Sequence, residues 1–191
     1  MNYKEAIERY KPINEQEASE KKVILDYINQ YPHNILLRDN EFGHLTSSGF
    51  IMNKELTKTL MIHHNIYNTW AWTGGHADGD EDLLYVAIKE AKEETGVIKI
   101  EPLTNEIASI DILPVWGHVK KGKYVATHMH LSVAYILIAD EAQELYINEA
   151  ENSGVKWIEI EEMKQYCKEE KMLPVYYKLI ERAKSYRENL K

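Results

Sequence analysis

The 191-residue chain contains a single cysteine, Cys167. That excludes an intramolecular disulfide and any multi-cysteine zinc or iron–sulfur site. Long apolar runs are missing too. The longest, residues 133–139, falls far short of the ~20 residues of a membrane helix, so no membrane association is expected. The opening residues, Met-Asn-Tyr-Lys-Glu-Ala-Ile-Glu-Arg, lack an apolar stretch. No secretory signal is expected there, and a cytoplasmic location is. The sequence shows no internal repeat and no low-complexity tract. Positive charge is in deficit: 23 Lys and Arg face 31 Asp and Glu, a net charge of −8. Affinity for nucleic acid rests largely on phosphate contacts by basic side chains, so no nucleic-acid partner is expected. An acidic chain that handles phosphates needs a local device, and bound metal ions are the evident one. What remains is ordinary: 44% hydrophobic and 28% charged residues, enough for one domain with a helical extension.

Residues 3–30 read as helix. Asn14 is a candidate N-cap with Glu17 three residues on, the spacing of a capping box. Ala18, Val23, Ile24, Tyr27 and Ile28 then recur at helical spacing, and Tyr31-Pro32 closes the pattern. This N-terminal extension, residues 1–43, is expected to pack on the main domain or on a second subunit, which would make a homodimer. The main domain, residues 44–191, begins with strands over 45–52 and 57–63, joined by a hairpin turn at 53–56. Trp70-Ala-Trp72 leads into Gly74-Gly75, and a helix over 81–95 is stopped by Gly96. Strands are expected over 97–103, 106–113 and 155–160, with a long central one over 124–139. Helices over 161–171 and 174–190 end the chain. This order predicts a mixed sheet with helices on its faces.

The chemistry concentrates in residues 75–97. Gly74 and Gly75 precede a polar loop containing Gly79, and the helix after it bears Glu90, Glu93 and Glu94. At about 100° per residue the three carboxylates share an arc of roughly 100°. They sit beside the apolar edge formed by Leu84, Ala87, Ile88 and Ala91. Lys89 lies four residues before Glu93 and can reach it. Alone, such a face is a solvated, charge-rich surface, since like charges at this spacing cost only about 0.2–0.5 kcal/mol per pair. The glycine loop changes the reading, because it lets backbone N–H groups approach a phosphate closely. Carboxylates facing such a loop make a site for a hard divalent cation and a phosphorylated ligand.

The spacing closely resembles the signature of the Nudix hydrolases. Gly75, Glu81, Glu90-Ala91, Glu93-Glu94 and Gly96-Val97 stand at that family's fixed positions. Lys89 replaces the family's arginine, and Thr73 stands where many relatives have proline. The resemblance implies an α/β/α sandwich of the Nudix type with a mixed sheet, extended here by the N-terminal helical segment and a C-terminal helix. It also implies hydrolysis, dependent on Mg2+ or Mn2+, of a small-molecule diphosphate linked to another moiety, of the nucleoside diphosphate-X kind. Carried onto this chain, it makes Glu90, Glu93 and Glu94 metal ligands. Glu90 and Glu94 become the catalytic pair, with Glu90 the first choice of general base. Gly74 and Gly75 contact substrate, Glu81 supports the helix start, and Lys89 braces the glutamates as a point charge without arginine's planar fork. Two alternatives stay open: a non-catalytic ligand sensor on the same fold, and an isopentenyl-diphosphate isomerase, whose chemistry uses an active-site cysteine.

Residues around the motif carry two readings each. Trp70 and Trp72 form either a stacking wall for a flat group or plain core. His128 and His130 share one face of the long strand. Their spacing suits zinc, but no third ligand is evident. The resemblance implies a substrate-binding role for them, because relatives with the Gly-His-Leu-Thr-x-Ser segment around His44 often carry a His-x-His pair there. His76, next to the glycines, is a candidate for the substrate rim. Of the adjacent His63 and His64, at most one can join a site. The acidic loop with Glu149 and Glu151 reads first as solvated, although relatives sometimes draw a metal ligand or base from it. Cys167 is placed away from the motif and is not expected to act as a nucleophile.

Overall fold

The computed structural model describes residues 2–120 and 122–189. The N-terminal stretch forms two helices, α1 (Tyr3–Arg9) and α2 (Glu15–Gln30). The break follows from Pro12, which pushes the residue before it out of the helical region. Asn14 caps α2 by accepting the Glu17 N–H at 2.8 Å. The Glu17 carboxylate reaches back to the Ile13 N–H at 2.9 Å, one residue beyond the N-cap N–H of a reciprocal capping box. Of the residues read at helical spacing, Ile24 and Ile28 are buried, Ala18 and Val23 point outward, and Glu17 joins the buried line.

The remaining elements are β1 (Gly43–Met52), β2 (Lys58–His64), β3 (Thr69–Ala71), β4 (Thr73–His76), α3 (Leu83–Thr95), β5 (Ile100–Pro102), β6 (Ser109–Val115), β7 (His118–Lys120), β8 (Lys123–Val125), β9 (His128–Ala139), β10 (Asn152–Glu159), α4 (Met163–Tyr166) and α5 (Leu173–Asn189). Among the described residues the long strand expected over 124–139 splits. Its first part pairs back on β7 as a hairpin, and β9 begins where pairing with β1 and β6 begins. The helix expected over 161–171 shrinks to a 3-10 turn and α4. There the Lys168 N–H turns to the Thr69 hydroxyl at 2.8 Å and leaves the helical ladder.

Eight strands form one sheet around the parallel pair β1–β9, which runs in register from Gly43↔Met129 to Met52↔Ile138. Each of the two changes its outer partner along its length. β1 pairs β4 over Thr46–Gly49 and β2 at Ile51–Met52, and β9 pairs β6 first and β5 at its end. The sheet therefore opens at the N-terminal end of β1, between β4 and β2. Alternation along β9 feeds two cores. Leu131, Val133, Tyr135 and Leu137 face the side of α1, α2 and α3, while Ala134 and Ile136 face the side of α5. This is the mixed sheet between helices read from the sequence, with terminal helices at both ends.

A buried ion cluster ties the extension to the domain. Lys178 of α5 lies 3.0 Å from Glu17 and 2.8 Å from Asp111 of β6. Arg182 lies 3.7 Å from Glu17 and donates to the Tyr10 hydroxyl and the Ala108 carbonyl. The Glu17 side chain is fully buried, and those of Lys178 and Arg182 are 9% and 8% exposed. Removing one member of a buried pair strands its partner, at a cost of about 3–5 kcal/mol. Glu17→Gln is expected to lose about 3 kcal/mol of unfolding free energy in urea, the low end because Asp111 still pairs Lys178. The exposed change Glu15→Gln should stay within about 0.5 kcal/mol.

Candidate active site

Helix α3 is set by its caps. The Asp82 side chain accepts the Tyr85 N–H at 3.1 Å, and Gly96 ends the helix at φ 78°. The capping bond at the helix start thus comes from Asp82, with Glu81 exposed one residue before it. Leu83, Val86, Ala87 and Ala91 bury one face of α3. Next to that face, β4 runs antiparallel to β1 with Gly74 opposite Ser48 and Gly75 opposite Ser47. A Cβ on Gly74 would meet the Ser48 hydroxyl at 2.5 Å, and one on Gly75 would meet the Glu90 carboxyl carbon at 2.5 Å. Only glycine lets β4 lie this close to the helix.

The three glutamates of α3 stand in different surroundings. Glu94 is buried and accepts the Gly74 N–H at 3.0 Å. Burial pushes its carboxyl up to about 8 against that hydrogen bond, and Glu90, Glu151 and Glu93 push the same way. The Glu90 side chain is 20% exposed. Burial raises its pKa as well, Lys89 opposes the rise and Glu93 adds to it. Glu93 is the outermost of the three. The Lys89 ammonium lies 3.6 Å from Glu90 and 3.9 Å from Glu93, so it serves two carboxylates where the sequence suggested one. The late loop closes on the end of α3: Asn148 donates to the Glu93 carbonyl at 3.3 Å and Asn152 to the Glu94 carbonyl at 2.9 Å. These bonds bring Glu151 to the same cavity, while Glu149 stays exposed. Oxygen donors with surplus negative charge, opposed by one half-exposed lysine, fit a hard divalent cation.

Glu90, Glu94, Gly74 and Gly75 line a cavity of about 620 Å3. Trp72, Tyr67, Trp116, Tyr124 and Tyr176 give it an aromatic wall. Of the two readings left open for the pair, Trp70 takes the packing one, edge-on against His63 and Tyr166. Trp72, at the junction of β3 and β4, lines the cavity, and both tryptophans also pack on the core on the side of α5. His64 lines the cavity, and His63 sits 2.8 Å from the Ser153 hydroxyl. At the rim, Arg38 grips Asp78 through two bonds of 2.8 and 2.7 Å. Cys167 lies in the core on the side of α5, its thiol pushed up to about 12 by burial.

His76, His128 and His130 also reach this cavity, and His44 joins them. His44 is the register partner of His130 across β1–β9, and His76 follows Gly75 on β4. One ring nitrogen from each of the four lies within 4.8 Å of those of the others. The third and fourth members were invisible as a set in the sequence. The pairing of β1 with both β4 and β9 brings them together, and nothing in the spacing of His44 or His76 announces it.

A family profile described as NUDIX domain matches residues 44–183. No curated protein matches the chain. Among solved structures, the chain resembles a C. elegans Ap4A hydrolase binary complex at 18% identity and a TM-score of 0.50, covering 76% of this chain and 98% of that one. A NUDIX-family hydrolase from Clostridium perfringens aligns at 22% identity and TM-score 0.51, covering 72% and 96%. The E. coli dihydroneopterin triphosphate pyrophosphohydrolase aligns at 13% identity and TM-score 0.54, covering 71% and 94%. These likenesses concern the fold. The profile spans most of the chain, including the glutamate helix and the glycine pair, and so the chain belongs to the NUDIX family as a hydrolase of phosphoric anhydride bonds.

Proposed function

We propose that the protein is a pyrophosphohydrolase that cleaves a diphosphate joined to a flat, aromatic-binding moiety, as in a nucleoside diphosphate-X. The observation that carries this reading is the shared cavity. Glu90 and Glu94 open into the same space as Trp72, Trp116 and Tyr124, so a diphosphate at the carboxylates leaves its other half against an aromatic wall.

Glu90, Glu93 and Glu94 are the residues that would hold Mg2+ or Mn2+, with Glu151 as a fourth candidate. Bound there, the cation supplies charge neutralisation at the diphosphate and a more acidic neighbouring water. Glu90 would serve as general base toward an attacking water. Glu94, fixed by the Gly74 N–H, holds the deeper position. Gly74 and Gly75 keep β4 close to α3 and give the substrate a wall without side chains, the Gly74 N–H being taken by Glu94. Lys89 orients Glu90 and Glu93, and Trp72, His76, His128 and His130 line the substrate side. Glu81 takes no part in catalysis. The sensor reading is disfavoured by the retention of all three glutamates, and the isomerase reading by the burial of Cys167.

The test is a phosphate-release screen over nucleoside and sugar diphosphates with and without Mg2+. Turnover is expected on at least one nucleoside diphosphate derivative, abolished by EDTA and restored by Mg2+ or Mn2+. Activity that survives complete chelation would sink the metal assignment. On the substrate found, Glu90→Gln and Glu94→Gln should each lower turnover at least ~100-fold, the scale of losing a positioned acid–base group. Lys89→Ala should cost less, since exposed ion pairs of this kind are worth about 0.3–0.5 kcal/mol. Lys89→Arg should keep or raise activity. A Lys89→Ala loss exceeding both glutamine variants, in folded protein, makes Lys89 a direct catalytic group. Gly75→Ala drives a methyl into Glu90; kcat should fall while circular dichroism stays that of the wild type.

A further inference from the structure

We propose that His44, His76, His128 and His130 form a second metal site, for a borderline transition-metal dication of the Zn2+ class, in the cavity that holds the carboxylates but with a different donor set. All four side chains stand on strands of one sheet, β1, β4 and β9. Their rings cluster with centroids 4.8 Å apart for His76–His130, 4.9 Å for His44–His76 and 5.1 Å for His44–His128. Among the described residues this is the group of His, Cys, Asp and Glu side chains assembled closely enough to hold an ion by single donor atoms.

The hydrogen bonds fix which nitrogens are available. The Nδ1 of His44 lies 3.0 Å from the Asn40 carbonyl, and the Nδ1 of His128 lies 2.9 Å from the Ala126 carbonyl. A carbonyl only accepts, so each Nδ1 carries the proton and each Nε2 keeps its lone pair. A metal-ligating histidine usually donates its other N–H to a carbonyl in this way. The Nε2 of His44 and that of His130 are buried without a hydrogen-bond partner, and His44 is 4% exposed. Unmet buried ring nitrogens are costly, and a cation shared among the rings satisfies both at once.

The donor set selects the ion. Imidazole nitrogens suit Zn2+ and its neighbours in the first transition row, whereas Mg2+ prefers oxygen. At about 2.0–2.1 Å from each nitrogen, a tetrahedral ion sets the nitrogens about 3.4 Å apart, so small ring rotations close the cluster. No ligand is anionic, and the ion keeps its full charge. The site stands on the histidines alone and does not depend on the catalytic reading of the glutamates.

The experiment strips the full-length protein with a chelator and titrates it with Co2+ alone, following visible ligand-field absorption, then repeats binding with Zn2+ for X-ray absorption at the zinc edge. The wild type is expected to bind one equivalent tightly. The triple variant Glu90→Gln, Glu93→Gln, Glu94→Gln, which disables the carboxylate site, should bind it as well. His76→Ala and His130→Ala should each weaken Co2+ binding at least about 10-fold, and the zinc spectrum should show a nitrogen first shell. If His130→Ala fails to fold, the partly exposed His76 position carries the test. Loss of the tight equivalent in the triple variant, wild-type affinity in His76→Ala, or an all-oxygen shell overturns the proposal.

Discussion

The structure of the site depends on one close approach. At Gly74 and Gly75 the β4 backbone lies where any Cβ would collide with Ser48 or with the Glu90 carboxyl carbon. Because nothing intervenes, the Gly74 N–H reaches Glu94 at 3.0 Å, and a carboxyl that burial raises to about 8 keeps one fixed partner. The same approach sets His76, the next residue, beside the β1 and β9 histidines. One contact thus positions both donor groups of the cavity, oxygen on the helix and nitrogen on the strands.

The cavity exists because the sheet opens. β1 and β9 stay paired along their length, but each trades one outer partner for another, so β4 and β2 diverge from a common strand. Side chains near the start of β1 and β9 then face the gap, while those further along are packed into the two cores. The extension acts from the far edge. Glu17, Lys178, Asp111 and Arg182 lock α2 and α5 onto β6, and β6 is the strand that backs the histidine end of β9. A buried charge cluster repays its desolvation only with complete partners, which makes this a join that tolerates little change.

Local signals were readable and long-range ones were not. The Asn14 cap, the Gly96 stop, the hairpin turn at 53–56 and the glutamate helix follow from neighbours in sequence, and each lies where local chemistry put it. Glu90, Glu93 and Glu94 were legible because a helix maps spacing onto direction. Asp82 is the cap because its short side chain reaches the Tyr85 N–H, whereas the family's fixed position falls on Glu81, one residue before. Val23 was read as buried on period alone, but the buried line of α2 runs through Glu17, Ile24 and Ile28, and Glu17 belongs to it because its partners come from α5, far along the chain. The four-histidine group was unreadable for the same reason. His44 and His130 are far apart in sequence, and only the parallel pairing of β1 with β9 sets them side by side. The shortened helix after residue 160 had the same cause, since Thr69 captures a backbone donor from across the fold.

Charge decides how such a cavity meets its substrate. Among its described lining residues the permanent cation is Arg38, and Asp78 already holds it through two bonds. Against it stand Glu41, Glu90, Glu94, Glu151 and Glu169 on the same walls. A diphosphate brings further negative charge against these carboxylates, and like charges near a protein surface repel more strongly than in bulk water. One guanidinium already paired with Asp78 therefore cannot supply the attraction. Under the proposed function the positive charge must come from bound dications, so the carboxylates that repel the bare anion are the groups that admit it once metal is present. The deficit of basic residues in the sequence is then a consequence of how the site works, with metal carrying the charge that lysine and arginine carry elsewhere.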